Sequence, residues 1–386
     1  MSYLGLNESH LKERDGYWTA KEITQQPKSW LRTQEYLSAN ATRINDFLQP
    51  LFARADCRII LTGAGTSAFA GTCLAPSLSH ILGRQVEAIP TTDLVSGPNQ
   101  NLHNGIPTLL VSFARSGNSP ESVAAADLAD SLLDECYQLV LSCNADGELY
   151  RSYKDRENCL ALLMPEETND RGFAMTSSFS CMLLTAISVF TGIQANNEKV
   201  ARLSSMVTDF IQSRNDEIKE LADANCSRVI YLGSNGLTGL AQEASLKLLE
   251  LTDGRVNTMH ESSLGFRHGP KSALNDDTLV VLFMSADSYT RKYDTDILNE
   301  LLSDNQAKKI LALTPSVELD QSREEFLTIN TTERLDDLEL LFPYIVFAQI
   351  YGFHHSLRLG NRPDTPSSSG TVNRVVKGVN IHACTA

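Results

Sequence analysis

Two stretches of this 386-residue chain carry residue types whose spacing suits proton transfer. Glu243, Lys247 and Glu250 recur at i, i+4 and i+7, so they share one face of a helix over 240–251. A solvated, salt-bridged stripe has the same spacing, and Glu243–Lys247 has the right order for one. Glu250 lies near the helix end, however, where a carboxylate opposes the macrodipole, and that unfavourable placement tilts towards a dedicated role. Shortly after comes Gly265-Phe266-Arg267-His268-Gly269-Pro270-Lys271. A histidine pinned in a Gly-Pro loop is a better acid/base candidate than one on a helix face, such as His354-His355, which reads as packing within the last helix.

Two other stretches suit an anion. Gly63-Ala64-Gly65-Thr66-Ser67 follows an apolar run and precedes a helical one, where backbone N–H groups and the helix dipole favour a phosphate. Gly63-x-Gly65-x-x-Ala68 also loosely fits a dinucleotide fingerprint, with Glu87 near the next strand end, but Ala68 stands where the third glycine belongs. The following strand candidate ends in Ala114-Arg115-Ser116-Gly117-Asn118-Ser119-Pro120-Glu121, with hydroxyls either side of a Gly turn and a helix start at Pro120. Ser116 and Ser119 read alone as turn and N-cap residues. Two hydroxyl-rich turns at successive strand ends suit one compact phosphate monoester better than a pyrophosphate. No zinc spacing exists, so neither a metal nor a cofactor is expected.

The elements that must position these residues occur twice, 170 positions apart. Arg58–Gly63 falls on Arg228–Gly233, Val86 on Val256, and Leu109–Phe113 on Leu279–Phe283. Each copy opens with an amphipathic helix, then a strand, a Gly-containing turn and an Ala/Leu-rich helix over 69–82 or 240–251. The fourth strand candidates are 138–142 and 308–312. Continuous Ile/Leu/Val strands separated by helices predict an α/β fold of two pseudo-repeated, doubly wound, flavodoxin-like parallel-sheet domains, with ligands at the carboxyl ends of the strands. The expected division is an N-terminal extension over 1–28, domains over 29–196 and 197–360, and a tail over 361–386. Residues 363–370 are too rich in Pro, Ser and Gly for regular structure, and the run Val375–Ile381 is expected to return as a strand or docking segment. Residues 173–178 are a candidate substrate-facing loop.

Thirty-three Lys and Arg against 47 Asp and Glu give a net charge of −14, which argues against nucleic acid as a partner. A small phosphorylated ligand remains compatible, because a local nest of N–H groups outweighs the global field. No apolar run is long enough to span a bilayer, so no membrane partner is expected. Eight scattered cysteines without a C-x-x-C pair predict reduced thiols in the cytoplasm.

The motifs resemble a known family. Gly63–Ser67 and Arg115–Ser119 look like the phosphate loops of the sugar isomerase (SIS) domain. Glu243-Ala-Ser-Leu-Lys-Leu-Leu-Glu250 and Arg267-His-Gly-Pro270 are similar to the second SIS domain of glucosamine-6-phosphate synthase. The phrases from Met259 to Pro270 and from Val372 to Val379 look characteristic of the tagatose-6-phosphate ketose/aldose isomerase group, also described as galactosamine-6-phosphate deaminases. The resemblance implies that Gly65, Thr66, Ser67, Arg115, Ser116 and Ser119 hold the phosphate of a small sugar phosphate. It makes Glu250 the base that moves a proton between C1 and C2. It makes His268 the ring-opening residue, reaching across a homodimer or larger homo-oligomer, with Lys377 supporting ring opening. Arg115 stands where the synthase has Gln. Met1-Ser2 offers no N-terminal cysteine of a glutaminase domain, so synthesis from glutamine is not expected. The activity implied first is deaminating isomerisation of galactosamine 6-phosphate to tagatose 6-phosphate and ammonium. Plain ketose/aldose isomerisation comes second, and a non-catalytic sugar-phosphate-binding regulator third.

Overall fold

The computed structural model describes residues 2–319, 324–376 and 378–384. The chain forms two compact units, each assembled from separated segments. Lys28–Asp170, Ser177–Ala201 and Gly370–Ala386 make one; Met1–Pro27, Arg171–Thr176 and Arg202–Ser369 make the other. Helix α1 covers Tyr17–Ala39, and a further long helix covers Asn197–Asp223.

In the first unit the strands are β1 (Arg58–Thr62), β2 (Val86–Ala88), β3 (Thr108–Ala114), β4 (Cys136–Ser142) and β5 (Cys159–Leu163). They pair in parallel in the order β2-β1-β3-β4-β5. The second unit repeats the arrangement with β6 (Arg228–Gly233), β7 (Asn257–Glu261), β8 (Thr278–Phe283), β9 (Lys309–Pro315) and β10 (Phe326–Ile329) in the order β7-β6-β8-β9-β10. This is the doubly wound α/β architecture with its switch point between the first and third strands of each copy. The central strands β3 and β8 are buried along their whole length, which requires the continuous apolar runs seen in the sequence. Each fully buried Leu, Ile or Val contributes roughly 1.5–3 kcal/mol, so these strands anchor the two cores.

The repeat is not in constant register. Arg58 pairs with Thr108 as Arg228 pairs with Thr278, which preserves the 170 offset. Ile59 pairs with Val86, but Val229 pairs with Thr258, so the offset there is 172 rather than the expected 170 that sets Val86 on Val256. The connection entering β7 (252–256) is two residues longer than that entering β2 (83–85). The fourth strands show the same offset, with β9 beginning at Lys309 where 308 is expected. A two-residue shift keeps every side chain on its original face of the sheet, so the apolar pattern survives it.

The helices after the first strands, α2 (Thr66–Leu82) and later α3 (Gly236–Leu251), start three and four residues earlier than the apolar pattern indicates, because their first turns are polar or glycine-containing. Val375–Ile381 does not form a strand: its described residues are irregular and mostly exposed. Of the candidate substrate loop 173–178, Phe173 is half-buried and 174–178 are buried; Ser177 and Ser178 open a helix capped by Asp170, which accepts from Ser178 N at 2.9 Å and Oγ at 2.6 Å.

Candidate functional site

The anion loops lie at the carboxyl ends of β1 and β3, which are hydrogen-bonded neighbours at the switch point of one sheet. After β1 the chain turns at Gly65, whose φ of 55° and ψ of −127° suit glycine, and enters α2. Gly63 is equally constrained, since a Cβ there would meet the Ser67 backbone at 2.6 Å. The turn therefore closes tightly and lays the first helical turn, with buried Thr66 and Ser67, over the strand end.

After β3, Gly117 takes φ of 65° and the chain enters the helix Pro120–Leu132. The loop between them is built from its neighbours. Asn144 Nδ2 donates to Ser116 O at 2.8 Å, Leu149 N to Gly117 O at 2.9 Å, and Glu148 N to Asn118 Oδ1 at 3.0 Å. Ser116 Oγ accepts from Asn118 N at 3.2 Å, a turn role. Ser119 sits at the N-cap position without capping the helix through its side chain, so its hydroxyl serves no helix end. Arg115 is buried and donates through Nη2 to Arg374 O at 2.6 Å.

Arg374 was not singled out in the sequence. Its Nε donates to Asp170 O at 2.9 Å and its Nη2 to Asn169 Oδ1 at 3.0 Å, so the otherwise exposed tail is tied to the loop before the Ser177 helix and to Arg115. Thr62, Thr91 and Ser112 also lie at or near these strand ends, and their buried hydroxyl oxygens have no hydrogen-bond partner among the described residues. Thr62 and Ser112 are registered partners on β1 and β3, and a hydroxyl inside an Ile/Leu/Val run is the signal that marks them. A cavity of about 690 Å³ opens between the Pro120–Leu132 helix and residues 381–384, but none of the expected phosphate residues lines it.

The proton-transfer candidates belong to the other unit. Glu243 and Lys247 are fully buried on α3, against the helix Asp337–Arg358, so they form no solvated stripe. Lys247 Nζ lies 2.5 Å from Glu250 Oε2 and 3.5 Å from Glu243 Oε1. Glu250 is less buried than Glu243 and Lys247, and the buried ammonium holds it at the edge of this cluster. His268 follows a short helical turn over Gly265–Arg267 and is exposed. Its loop is anchored: Phe266 is buried in the core with Ile230, Leu232 and Val280, and Arg267 Nε donates to Glu300 Oε2 at 2.6 Å. Lys271 pairs with both Glu300 and Asp304. Lys377 lies outside the described residues. Among the described residues no group of three or more His, Cys, Asp or Glu could hold a metal, and no helix is long and apolar enough to cross a membrane.

The family model of the SIS domain matches residues 51–191. The chain is 45% identical over 368 residues to D-galactosamine-6-phosphate deaminase AgaS from Escherichia coli, covering 95% of this chain and 96% of that protein. It is 44% identical to the AgaS deaminase of Shewanella sp. (strain ANA-3), over 99% of this chain and 96% of the relative. Among solved structures it resembles tagatose-6-phosphate ketose/aldose isomerase from Escherichia coli, with a TM-score of 0.88 and 41% identity over 96% of this chain and 98% of that one. The C-terminal domain of glucosamine-fructose-6-phosphate aminotransferase from Francisella tularensis shares the fold, with a TM-score of 0.75 at 16% identity over 91% of this chain and 99% of that one.

Proposed function

Because the chain belongs to the D-galactosamine-6-phosphate deaminase AgaS family, we propose that it converts galactosamine 6-phosphate and water into tagatose 6-phosphate and ammonium. The observation that carries this reading is the pair of hydroxyl-rich turns on neighbouring strand ends, in a chain alike over nearly its whole length to deaminases. In this reading residues 29–196 anchor the phosphate through Gly65, Thr66, Ser67, Arg115, Ser116 and Ser119, and residues 197–360 supply the acid and base.

His268 opens the sugar ring. Glu250 takes the proton from C2 and returns it to C1, which turns the 2-amino aldose into a ketimine. Water adds at C2, the C–N bond breaks, and the amine leaves as ammonium. Lys247 aims Glu250 through the 2.5 Å contact. Lys377 assists ring opening. The exposure of His268 on its own chain supports a homodimer or larger homo-oligomer in which it serves a neighbouring subunit's site. Eight free thiols, seven of them buried, support a cytoplasmic setting.

Ammonium and tagatose 6-phosphate formed in equal amounts from galactosamine 6-phosphate by the purified chain are the expected result. The likeness to the Escherichia coli tagatose-6-phosphate ketose/aldose isomerase favours plain isomerisation as the second reading. Ketose/aldose interconversion without ammonium release would establish that alternative and sink the first.

A further inference from the structure

In the Glu250-bearing unit, the donors at three adjacent strand ends converge on one internal carboxylate. Asp294 is fully buried in the helix Thr290–Asp304. Its Oδ1 accepts from Ser234 Oγ at 2.7 Å and from Ser263 Oγ at 2.6 Å, and its Oδ2 from Ser285 N at 2.9 Å. Ser234 follows β6, Ser263 lies just beyond β7 and Ser285 follows β8, so the carboxylate bridges the carboxyl ends of the strands that flank the switch point.

The other copy has the same positions with different chemistry. By the 170 offset Ser234 corresponds to Ala64 in the Gly63–Ser67 turn, and Ser285 to Arg115. By the 172 offset of the edge strands, Ser263 corresponds to Thr91, whose buried hydroxyl has no partner among the described residues. Asp294 corresponds to Ala124: each is the fifth residue of a helix that begins at Thr290 or Pro120. One copy therefore sets a small residue opposite its anion loops, and the other sets a carboxylate held by three donors, the environment a buried anion requires.

We propose that Asp294 is a built-in anion, occupying in the second copy the place that substrate phosphate takes in the first. This rests on reading Gly63–Ser67 and Arg115–Ser119 as the phosphate cradle. The consequence is twofold. The second copy takes no phosphate of its own, so the chain holds one sugar phosphate. Asp294 is also a positioning residue: Ser234 lies in the turn between β6 and α3, which carries Glu250, and Ser263 lies at the start of the loop that carries His268. Removing the carboxylate frees both elements at once.

The test is Asp294→Gly in the full chain, with inorganic phosphate as the binding probe and formate as the rescue probe. Turnover should fall by about a hundredfold, the scale of a displacement near 1 Å of catalytic groups, and added formate should restore part of it together with part of the melting temperature. Equilibrium binding should reveal a second phosphate per chain that persists in the Ser116→Ala background. No added phosphate site and no formate rescue would overturn the proposal, as would a variant that folds in neither formate nor phosphate. Asp294→Asn fills the same space with a group that sets N–H against one of the donors, so it should lose turnover without gaining a phosphate; wild-type turnover there would count against the proposal. Ser116→Ala alone keeps the two ideas apart. If phosphate binding to the otherwise wild-type chain survives it, the cradle reading fails. If that binding is lost while Asp294→Gly gains nothing, only the role of Asp294 falls.

Discussion

Glu250 and Lys247 make the residue-scale argument. In the proposed mechanism Glu250→Gln keeps size and hydrogen bonding but cannot accept the C2 proton, so kcat should drop by about 10²–10⁴-fold with KM little changed. Deuterium wash-in at C2 of the substrate should disappear with it; turnover at the wild-type rate would remove Glu250 from the chemistry. Lys247→Met takes a buried ammonium from between two carboxylates, 2.5 Å from one and 3.5 Å from the other. A change of this kind costs about 3–5 kcal/mol, readable as a lowered denaturant midpoint, whereas an exposed stripe would lose less than 1 kcal/mol. The i, i+4, i+7 spacing made this face legible in the sequence, but not its burial. Burial is decided by the helix Asp337–Arg358, which lies far along the chain and packs on α3. Arg374 was illegible for a similar reason, since nothing beside it in sequence indicates that its guanidinium reaches Asp170 and Asn169. Ser116 and Ser119 were legible as a pair; the structure adds that Ser119 does not cap its helix.

At the scale of elements, the turns from β1 into α2 and from β6 into α3 share their N-cap conformation and a glycine with no room for a methyl group. Gly63 and Gly233 each leave no room for a methyl group: a Cβ would lie 2.6 Å from the Ser67 backbone or 2.5 Å from Leu237 O. The N-cap residues Gly65 and Asn235 share φ near 55° and 52°. Gly63→Ala and Gly233→Ala should therefore destabilise the chain alike, by about 1–3 kcal/mol each in chemical denaturation. Only Gly63→Ala should also weaken binding of inorganic phosphate, because only that turn belongs to the proposed cradle. Equal effects of both on phosphate affinity would contradict the division of labour between the copies. The parallel, doubly covered sheets and their apolar strands followed from the sequence, because a continuous Ile/Leu/Val run is stable only where both faces of the sheet are covered. The edge-strand register did not, because a two-residue insertion leaves the inside–outside alternation intact and so leaves no trace in the hydrophobic pattern.

At the scale of the whole molecule, acid should act on one unit before the other. His354 and His355 lie in the helix Asp337–Arg358, both buried, within the unit that carries Glu250 and His268. Burial pushes each down from 6.5 to about 4, with Lys219 adding to the effect at His354 and Arg358 at His355. His354 Nε2 meets Asn215 Oδ1 at 2.9 Å and His355 Nδ1 meets Tyr351 OH at 3.1 Å, while His355 Nε2 has no partner among the described residues to accept a proton's charge. Between about 6.5 and about 4 the unfolded chain binds protons at these rings that the folded chain refuses, so stability rises with pH across that window. The contribution is complete above 6.5 and lost as pH falls through the window, at roughly 3 kcal/mol per histidine. Asp337 and Asp364 in the same unit are raised by burial, so they bind protons more readily when folded and offset part of the loss towards the acid end. Calorimetry from pH 7 to 4 should therefore show a falling melting temperature, and hydrogen exchange should show residues 202–369 losing protection before residues 28–170. Replacing both histidines by Gln removes the titrating rings and should flatten the pH dependence of whatever stability remains. An unchanged slope in that double variant would show that other groups govern acid unfolding. A flattened slope would identify the two buried histidines of the Asp337–Arg358 helix as the groups that set the acid stability of this unit.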